Sequence, residues 1–299
     1  MTLLEELQTT VDTLAQRAGP AIVAVGRHQR GSGVVIADGQ VLTNAHNLRG
    51  DEVTITFADG RREVGTVKGV DGDGDLAVVA VDTTGATPLE WGSGDGLTVG
   101  SPVFGAAAAN GAGTRITFGL VSAVARAFRG PGGRRIAGSV EHTAPLAPGS
   151  SGGALLAADG SFVGLNTNRI GDGFYLALPA DAALRDRVDA LARGEAPRRQ
   201  RLGVAVAPSH VARRLRRSVG LPEREGLLVR GVEDGSPADR AGIQSGDLIV
   251  EAAGRAVTEA DALFDALAAA STPFEVKVVR GTEERTVSVG GAGEATGEA

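Results

Sequence analysis

Cysteine is absent from this chain of 299 residues, and methionine, tryptophan and tyrosine each occur only once. Without cysteine the protein can form no disulfide bond and carry out no thiol chemistry, and it lacks the usual ligands of a structural zinc site. Its stability must therefore come from packing. The single Trp91 and Tyr175 are expected to contribute to that packing rather than to ligand recognition.

Long apolar runs and a positive net charge are also missing. No segment approaches the roughly 18 uninterrupted apolar residues that a helix needs to cross a bilayer. The formal net charge of −6 argues against a general electrostatic grip on nucleic acid or anionic lipid. The N-terminal segment contains Glu5 and Glu6 and lacks a basic leader, so it matches neither a signal peptide nor a membrane anchor. We therefore expect a cytoplasmic protein with no nucleic-acid partner and no membrane segment.

Short runs rich in valine, isoleucine, leucine and threonine fill residues 20–178. Turn residues such as Asp-Gly separate these runs at the spacing of antiparallel strands. About twelve such strands are too many for one small barrel, and the glycine-rich "LEWGSGDGLTVG" would suit a crossover between two barrels. This region is therefore predicted to form two antiparallel β-barrels packed side by side.

The other segments differ from this pattern. Residues 1–19 repeat leucine at helical spacing and predict an amphipathic helix. The barrels and a closing helix near Pro179 make up a first domain, residues 20–194. We predict a linker at 195–200, an α+β module at 201–290 and a disordered tail at 291–299.

The string "APGSSGGALL" places Ser151 among glycines at positions 149, 152 and 153. Glycine lets a backbone turn tightly and aim N–H groups inward, so a serine nucleophile and donors for a developing oxyanion can share one loop. A flexible glycine-serine turn is an equally good interpretation of this string alone.

A histidine and an aspartate upstream favour the catalytic interpretation. His46 follows an apolar strand and Asp75 immediately precedes one, so the chain order is His, Asp, Ser. A serine hydroxyl needs an imidazole base, and that base needs a carboxylate to fix its tautomer. The alternative is a calcium-binding β protein, in which Asp75 joins Asp71 and Asp73 in a metal loop, although no glutamate follows at the EF-hand spacing.

At these residues the sequence closely resembles the HtrA family of trypsin-like serine proteases. The resemblance covers most of residues 20–180 and rests on "GSGVVIADGQVLTNAHNL", "DLAVVAVD", "TFGLVSAV", "PGSSGGALL", "FVGLNT" and "FYLALP". It implies a mostly β, chymotrypsin-like double barrel, with His46 as general base, Asp75 as its orienting partner and Ser151 as nucleophile. The family usually has asparagine before the nucleophile, where this chain has Ser150.

The same resemblance implies an oxyanion hole and a pocket for a substrate side chain. The oxyanion hole is expected at the backbone of Gly149, Ser150 and Ser151. The pocket is expected to be lined by Leu146, Leu165, Asn166, Thr167 and Asn168. No acidic residue stands where a basic substrate side chain would need a partner, so we expect cleavage after valine, alanine or leucine.

The module at 201–290 resembles a PDZ domain of the bacterial, circularly permuted kind. The resemblance is carried by the continuous stretch "GVEDGSPADRAGIQSGDLIVEAAGRAV". It implies an α+β fold that captures peptide C-termini beside a sheet edge. The residues expected to bind the peptide are Leu202, Gly203, Val204, Leu263 and Leu267.

Together the two resemblances imply a serine endopeptidase that cuts unfolded or damaged polypeptides without a cofactor or metal. Members of the family often form trimers through an N-terminal segment, so a homotrimer is expected, with the helix at 1–19 between subunits or against its own barrel. The alternative is a catalytically weak, chaperone-like peptide-binding scaffold of the same fold. The departure at Ser150 is its main support in the sequence.

Overall fold

The structure is a computed structural model and describes residues 2–109, 113–130, 135–195 and 201–290. The chain divides into two compact units, 1–197 and 198–299. This division falls inside the predicted linker, of which only Glu195 is among the described residues, and the predicted tail lies outside them. No helix in the described ranges is long and apolar enough to cross a membrane.

The first unit opens with a helix, α1 (Leu3–Arg17), as the sequence predicts. Thr2 and Glu5 form a reciprocal capping box, which satisfies two backbone N–H groups that the first turn leaves without partners. Leu14 is 1% exposed and packs into the core of its own unit, while the first two leucines of the helix are 80% and 75% exposed. The helix thus uses its C-terminal half to anchor itself.

Six antiparallel strands close into a first barrel, with the neighbour order β1-β2-β3-β6-β5-β4. The strands are β1 (Ile22–Val25), β2 (Gly31–Ala37), β3 (Gln40–Thr43), β4 (Glu52–Thr56), β5 (Arg62–Asp71) and β6 (Leu76–Ala80). A two-residue turn, Asp38-Gly39, joins β2 to β3, and Gly39 has a φ of 72°. Glycine takes this left-handed conformation without the steric cost that a Cβ would impose.

A second closed barrel follows, with the neighbour order β10-β11-β12-β9-β8-β7. Its strands are β7 (Pro102–Ala108), β8 (Thr114–Arg129), β9 (Arg135–His142), β10 (Ala154–Leu156), β11 (Phe162–Ile170) and β12 (Phe174–Pro179). The prediction of a mostly β protein with two antiparallel barrels is therefore confirmed.

A helix, α2 (Ala182–Ala192), closes this unit. It begins at Asp181, whose carboxylate accepts a hydrogen bond from the N–H of Leu184 at 2.7 Å. Leu184, Val188 and Leu191 are buried on one face and join the core of the barrels. Their spacing is the helical pattern visible in the sequence.

The second unit has its own core and a sheet with the order β13-β14-β15-β17-β18, in which the short β16 pairs with β15. Its elements are β13 (Val204–Ala207), α3 (Ser209–Ser218), β14 (Leu227–Val232), α4 (Pro237–Arg240), β15 (Leu248–Ala252), β16 (Arg255–Ala256), α5 (Ala260–Ala269), β17 (Phe274–Arg280) and β18 (Glu283–Val289). β13 is an edge strand and pairs with β14 alone among the described strands. The α+β expectation for this module is confirmed.

Candidate active site

The first barrel supplies a histidine and an aspartate from two neighbouring strands. β3 ends at Thr43, and a single turn of 3-10 helix then carries His46. Asp75 immediately precedes β6, and β6 pairs with β3 through Ala77 and Thr43. Strand pairing therefore brings the two side chains together although 29 positions separate them. Asp75 has a φ of 55°, in the left-handed region that aspartate tolerates better than most residues.

The carboxylate of Asp75 holds the imidazole of His46. His46 Nδ1 lies 3.0 Å from Oδ1 and 2.8 Å from Oδ2 of Asp75, and the backbone N–H of His46 donates to Oδ1 at 3.1 Å. The aspartate side chain is 1% exposed and that of the histidine 31% exposed. A carboxylate so placed keeps the Nδ1 proton in place, which leaves Nε2 as the basic nitrogen.

Ser151 lies in the loop before β10, and residues of the first barrel hold its backbone. The carbonyl oxygen of Ser151 accepts hydrogen bonds from the N–H of Ser32 at 2.8 Å and from Nδ2 of Asn47 at 3.0 Å. Gly152 has a φ of 85°, and a Cβ there would lie 2.2 Å from the carbonyl oxygen of Ser32. Only glycine fits that position, so the glycine after the serine is a packing requirement.

Thr167, on β11, links the serine to the aspartate. The Ser151 hydroxyl donates to the carbonyl oxygen of Thr167 at 2.8 Å, and the Thr167 hydroxyl donates to Oδ2 of Asp75 at 2.9 Å. A hydroxyl has one proton, so the serine proton in this structure is directed at Thr167 and not at His46. The contact between Asp75 and His46 is formed, whereas Ser151 donates to Thr167 and not to His46.

Two backbone N–H groups beside the serine are available as oxyanion donors. Those of Gly149 and Ser151 have no acceptor within the described residues, while the carbonyl of Gly149 is held by the Ser32 hydroxyl at 2.8 Å. The N–H of Ser150 instead donates to the carbonyl of Ala147 at 3.1 Å. The expectation for Ser150 is therefore corrected, since its N–H closes the turn.

A cavity of about 140 Å³ opens beside the serine. Leu146, Asn166, Thr167 and Asn168 line it as expected, together with Arg169 and Tyr175. Leu165 is absent from the lining and is fully buried in the barrel core. The expectation for Leu165 is wrong because its side chain packs in the barrel core, whereas the part of β11 that lines the cavity begins at Asn166, where the pairing of β11 with β12 shifts register between Asn166 and Asn168.

A buried histidine, His142, contacts Asn166, which is one of the residues that line the pocket. Nδ2 of Asn166 donates to the carbonyl of Ala154 at 2.8 Å, so Oδ1 of Asn166, 3.0 Å from His142 Nε2, must accept the proton from that nitrogen. Nδ1 of His142 then carries a buried lone pair, and it has no partner within the described residues. Burial lowers the pKa of His142 from 6.5 to about 4, because a proton on Nδ1 would create a charge with nothing to accept it.

The carboxylates of the acidic turn that leads to Asp75 already have partners within the protein. Oδ1 of Asp71 accepts hydrogen bonds from the N–H groups of Asp73 and Gly74, and Oδ2 lies 3.5 Å from Arg187. Both carboxylate oxygens of Asp75 serve His46 and Thr167. The turn therefore stabilises the chain just before β6. Its carboxylates do not converge on one point as those of a calcium loop do, and no cluster of metal-binding side chains is found among the described residues.

The residues expected to bind a peptide in the PDZ unit fall into two groups. Gly203, with a φ of 75°, and Val204 stand at the start of the edge strand β13. Leu202, Leu263 and Leu267 are 3%, 3% and 4% exposed and belong to the core of this unit. The expectation of direct peptide contact by these three leucines is corrected, because the face of α5 that carries the last two is turned to the core.

Sequence reasoning missed Ser32, Asn47 and His142 as parts of the site. Ser32 lies between two glycines in "GSG" and Asn47 directly follows the histidine, but neither has a pattern that indicates a long-range hydrogen bond. His142 is 0% exposed, although no recurrent spacing with acidic residues in the sequence marks it as part of a site. Its position in the apolar β9 was the available signal.

Comparison with known proteins agrees with this geometry. A family model described as a trypsin-like peptidase domain matches residues 31–165, and one described as a PDZ domain matches residues 228–280. The two family models therefore identify a trypsin-like peptidase domain that is followed along the chain by a PDZ domain.

Two relatives indicate the family within this class of proteins. A protein of Halomonas elongata named "Probable periplasmic serine endoprotease DegP-like" is 33% identical over 272 residues, which cover 88% of this chain and 56% of that relative. "Serine protease HTRA2, mitochondrial" of Drosophila pseudoobscura pseudoobscura is 28% identical over 277 residues, or 87% of this chain and 65% of that one. The chain belongs to the HtrA family of serine proteases, and it spans between about half and two thirds of the length of these relatives.

A solved structure shares the fold. The structure titled "HtrA-type protease AlgW with decapeptide" aligns with a TM-score of 0.75 at 24% identity, over 94% of this chain and 97% of that one.

The orphaned lone pair of His142 makes the stability of the protease unit sensitive to acid. The pKa of His142 is near 6.5 in the unfolded chain and about 4 in the folded chain. Its contribution to the free energy of unfolding is therefore fully present above pH 6.5, and about 3 kcal/mol of it is lost on acidification to pH 4. We expect His142→Gln to flatten that loss. Urea unfolding followed by the fluorescence of Trp91, the only tryptophan, reports on this unit.

The matched control is His210→Gln, which changes an exposed histidine of the PDZ unit and should keep the wild-type pH dependence. An unchanged slope in His142→Gln would show that this histidine is not the group responsible.

Proposed function

We propose that the protein is a serine endopeptidase that hydrolyses peptide bonds through an acyl-enzyme on Ser151. The observation that carries this proposal is the buried Asp75 carboxylate, which fixes His46 at 2.8 Å next to a loop that presents a serine hydroxyl and two unoccupied N–H donors. A structural turn would need none of these features together.

The first step requires the serine hydroxyl to leave Thr167. Rotation about its Cα–Cβ bond exchanges the hydrogen bond to the Thr167 carbonyl for one to Nε2 of His46. His46 then takes the hydroxyl proton as Oγ attacks the substrate carbonyl, and Asp75 stabilises the imidazolium that forms. The N–H groups of Gly149 and Ser151 stabilise the oxyanion.

The second half of the reaction returns that proton. The C–N bond breaks as His46 donates its proton to the leaving amine, and the acyl group stays on Ser151. A water molecule then gives a proton to His46 and attacks the acyl carbonyl, and His46 passes the proton to the departing Oγ. The enzyme is regenerated with no net proton gained or lost.

Unfolded or damaged polypeptides are the proposed substrates, with a small or medium aliphatic side chain in the pocket. The cavity of about 140 Å³ suits such a side chain, and no carboxylate lines it. Arg169 is part of the lining and pairs with Asp172 at 2.9 Å, so the lining offers lysine or arginine no carboxylate partner.

The PDZ unit is proposed to bind peptide C-termini by adding a strand to the free edge of β13 next to Gly203. The AlgW structure was solved with a decapeptide, which supports this proposal by analogy. Calorimetric titration of the whole chain tests it, since a peptide with a free C-terminus should bind at least tenfold more tightly than its amidated form. Equal affinities would contradict it.

The homotrimer and the cytoplasmic location stay predictions. The exposed leucines at the start of α1 are available for a subunit contact, and light scattering would show the assembly state directly. The Halomonas relative is named periplasmic, so fractionation of the native host is the measurement for location.

Replacing the nucleophile distinguishes an enzyme from a scaffold. We expect Ser151→Ala to abolish labelling by a fluorophosphonate and to lower casein cleavage by at least about 10³-fold, because no other group can form the acyl-enzyme. Ser150→Ala is the matched control. It should keep labelling, since the Ser150 side chain takes no part in the proposed reaction.

Labelling that survives in Ser151→Ala but disappears in Ser150→Ala would show that Ser150, and not Ser151, is the nucleophile. A wild-type chain that neither labels nor cleaves would favour the chaperone-like scaffold.

The pocket predicts the residue before the cut. Peptides with valine or alanine at that position should be cleaved roughly tenfold to a hundredfold faster than matched peptides with arginine, because a guanidinium would enter a pocket that has no carboxylate. A cleavage profile over a peptide library measures this preference. A profile dominated by arginine or lysine would overturn it.

A further inference from the structure

A second groove in the protease unit is lined by basic side chains. Its volume is about 400 Å³, and its polar lining includes Arg27, His28, Arg30, Asn47, Arg49 and Glu52. Three guanidinium groups share this groove with one carboxylate, in a chain whose formal net charge is −6. The groove is therefore positive where the chain as a whole is negative.

The arginines of this groove are not used to hold the fold together. Arg27, Arg30 and Arg49 are exposed and form no ion pair with any described residue, whereas Arg61 on the same barrel pairs with Glu63. Unpaired guanidinium groups gathered in a concave surface attract anionic groups from solution. The groove thus has the charge of a binding site for carboxylates.

The groove adjoins the nucleophile. Asn47 lines it and also donates the 3.0 Å hydrogen bond to the carbonyl of Ser151. Gln29, between two of the groove residues, lies against the oxyanion loop, with its carbonyl oxygen 3.3 Å from where a Cβ of Gly149 would stand. The side-chain amide of Gln29 donates to the carbonyl of Ala108 at 2.7 Å, which fixes this turn to the second barrel.

The order of the proposed reaction indicates which part of a substrate reaches the groove. The residue before the cut occupies the pocket lined by Leu146 and Asn168, which shares no lining residue with the groove. The leaving amine receives its proton from His46, so the segment after the cut departs past His46. Asn47, the next residue along the chain, is one of the residues that line the groove.

We propose that this basic groove binds the segment on the C-terminal side of the cut and selects acidic side chains there. The proposal rests on the endopeptidase function proposed above. Aspartate and glutamate at the first few positions after the cut would pair with Arg27, Arg30 and Arg49. Because salt screens charge pairs at an exposed surface, the preference for acidic segments would weaken as the ionic strength rises.

Three internally quenched peptides test this inference on the full chain. They share the residues before the cut, with valine in the pocket, and carry aspartate and glutamate, glutamine, or lysine at the next three positions. We expect kcat/KM at low salt to be roughly tenfold higher for the acidic peptide than for the glutamine peptide, and the difference to shrink in high salt. The lysine peptide should be the poorest.

A charge-reversal variant, Arg27→Glu with Arg30→Glu, should invert this order. The control is Arg230→Glu with Arg255→Glu, which changes the net charge equally on exposed arginines of the PDZ unit and should keep the wild-type order. The neutral variant Arg27→Gln with Arg30→Gln should remove the preference without inverting it, and it serves if the reversed variant fails to fold.

The two proposals fail in different ways. If no peptide is cut, or if Ser151→Ala cuts them equally, the endopeptidase function is wrong. If all three peptides are cut at similar rates by the wild type, or if the arginine variants slow all three by the same factor, the function stands and the groove has no part in selection.

Discussion

The buried carboxylate of Asp75 is the group on which the geometry of the site depends. At 1% exposure it would be costly without partners, and it accepts hydrogen bonds from the backbone and ring of His46 and from the hydroxyl of Thr167. His46 comes from the first barrel and Thr167 from the second. The desolvated charge therefore fixes the imidazole and joins the two barrels at the same point, so the catalytic site and the barrel interface are one structure.

This arrangement also explains why the serine is not yet aligned. The Thr167 hydroxyl donates to Asp75 and the Thr167 carbonyl accepts from Ser151, so Oγ of Ser151 lies 2.8 Å from an acceptor that cannot act as a base. Moving Oγ to His46 exchanges one hydrogen bond for another, and such exchanges have a net free energy of only about 1 kcal/mol. The N–H groups of Gly149 and Ser151, the proposed oxyanion donors, have no acceptor among the described residues, and their loop is held by the hydrogen bond from Ser32 to the carbonyl of Gly149 and by the closed turn at Ser150.

The sequence was informative wherever local chemistry decides the structure. Asp-Gly turns predict the breaks between strands and the leucine spacing of residues 1–19 predicts a helix, and His46, Asp75 and Ser151 stand out because their chemistry needs those residue types in recognisable contexts. It failed where the answer depends on a side chain's direction. Leu165 packs into the barrel core although the next residues of β11 line the pocket, and Leu263 and Leu267 lie on the face of α5 that packs into the core of its unit. The long-range hydrogen bonds of Ser32 and Asn47 have no local signature, since the partners in the second barrel lie 76 or more positions away.

The geometry requires that Asp75 sets the tautomer of His46, and the ¹⁵N NMR spectrum of the imidazole nitrogens reports that tautomer. With the His46 signals assigned through a His46→Gln variant, the neutral ring should show a protonated Nδ1 and a bare Nε2, and Asp75→Asn should disturb that pattern. A neutral ring with its proton on Nε2 in the wild type would leave no base to face Ser151, and it would contradict the account.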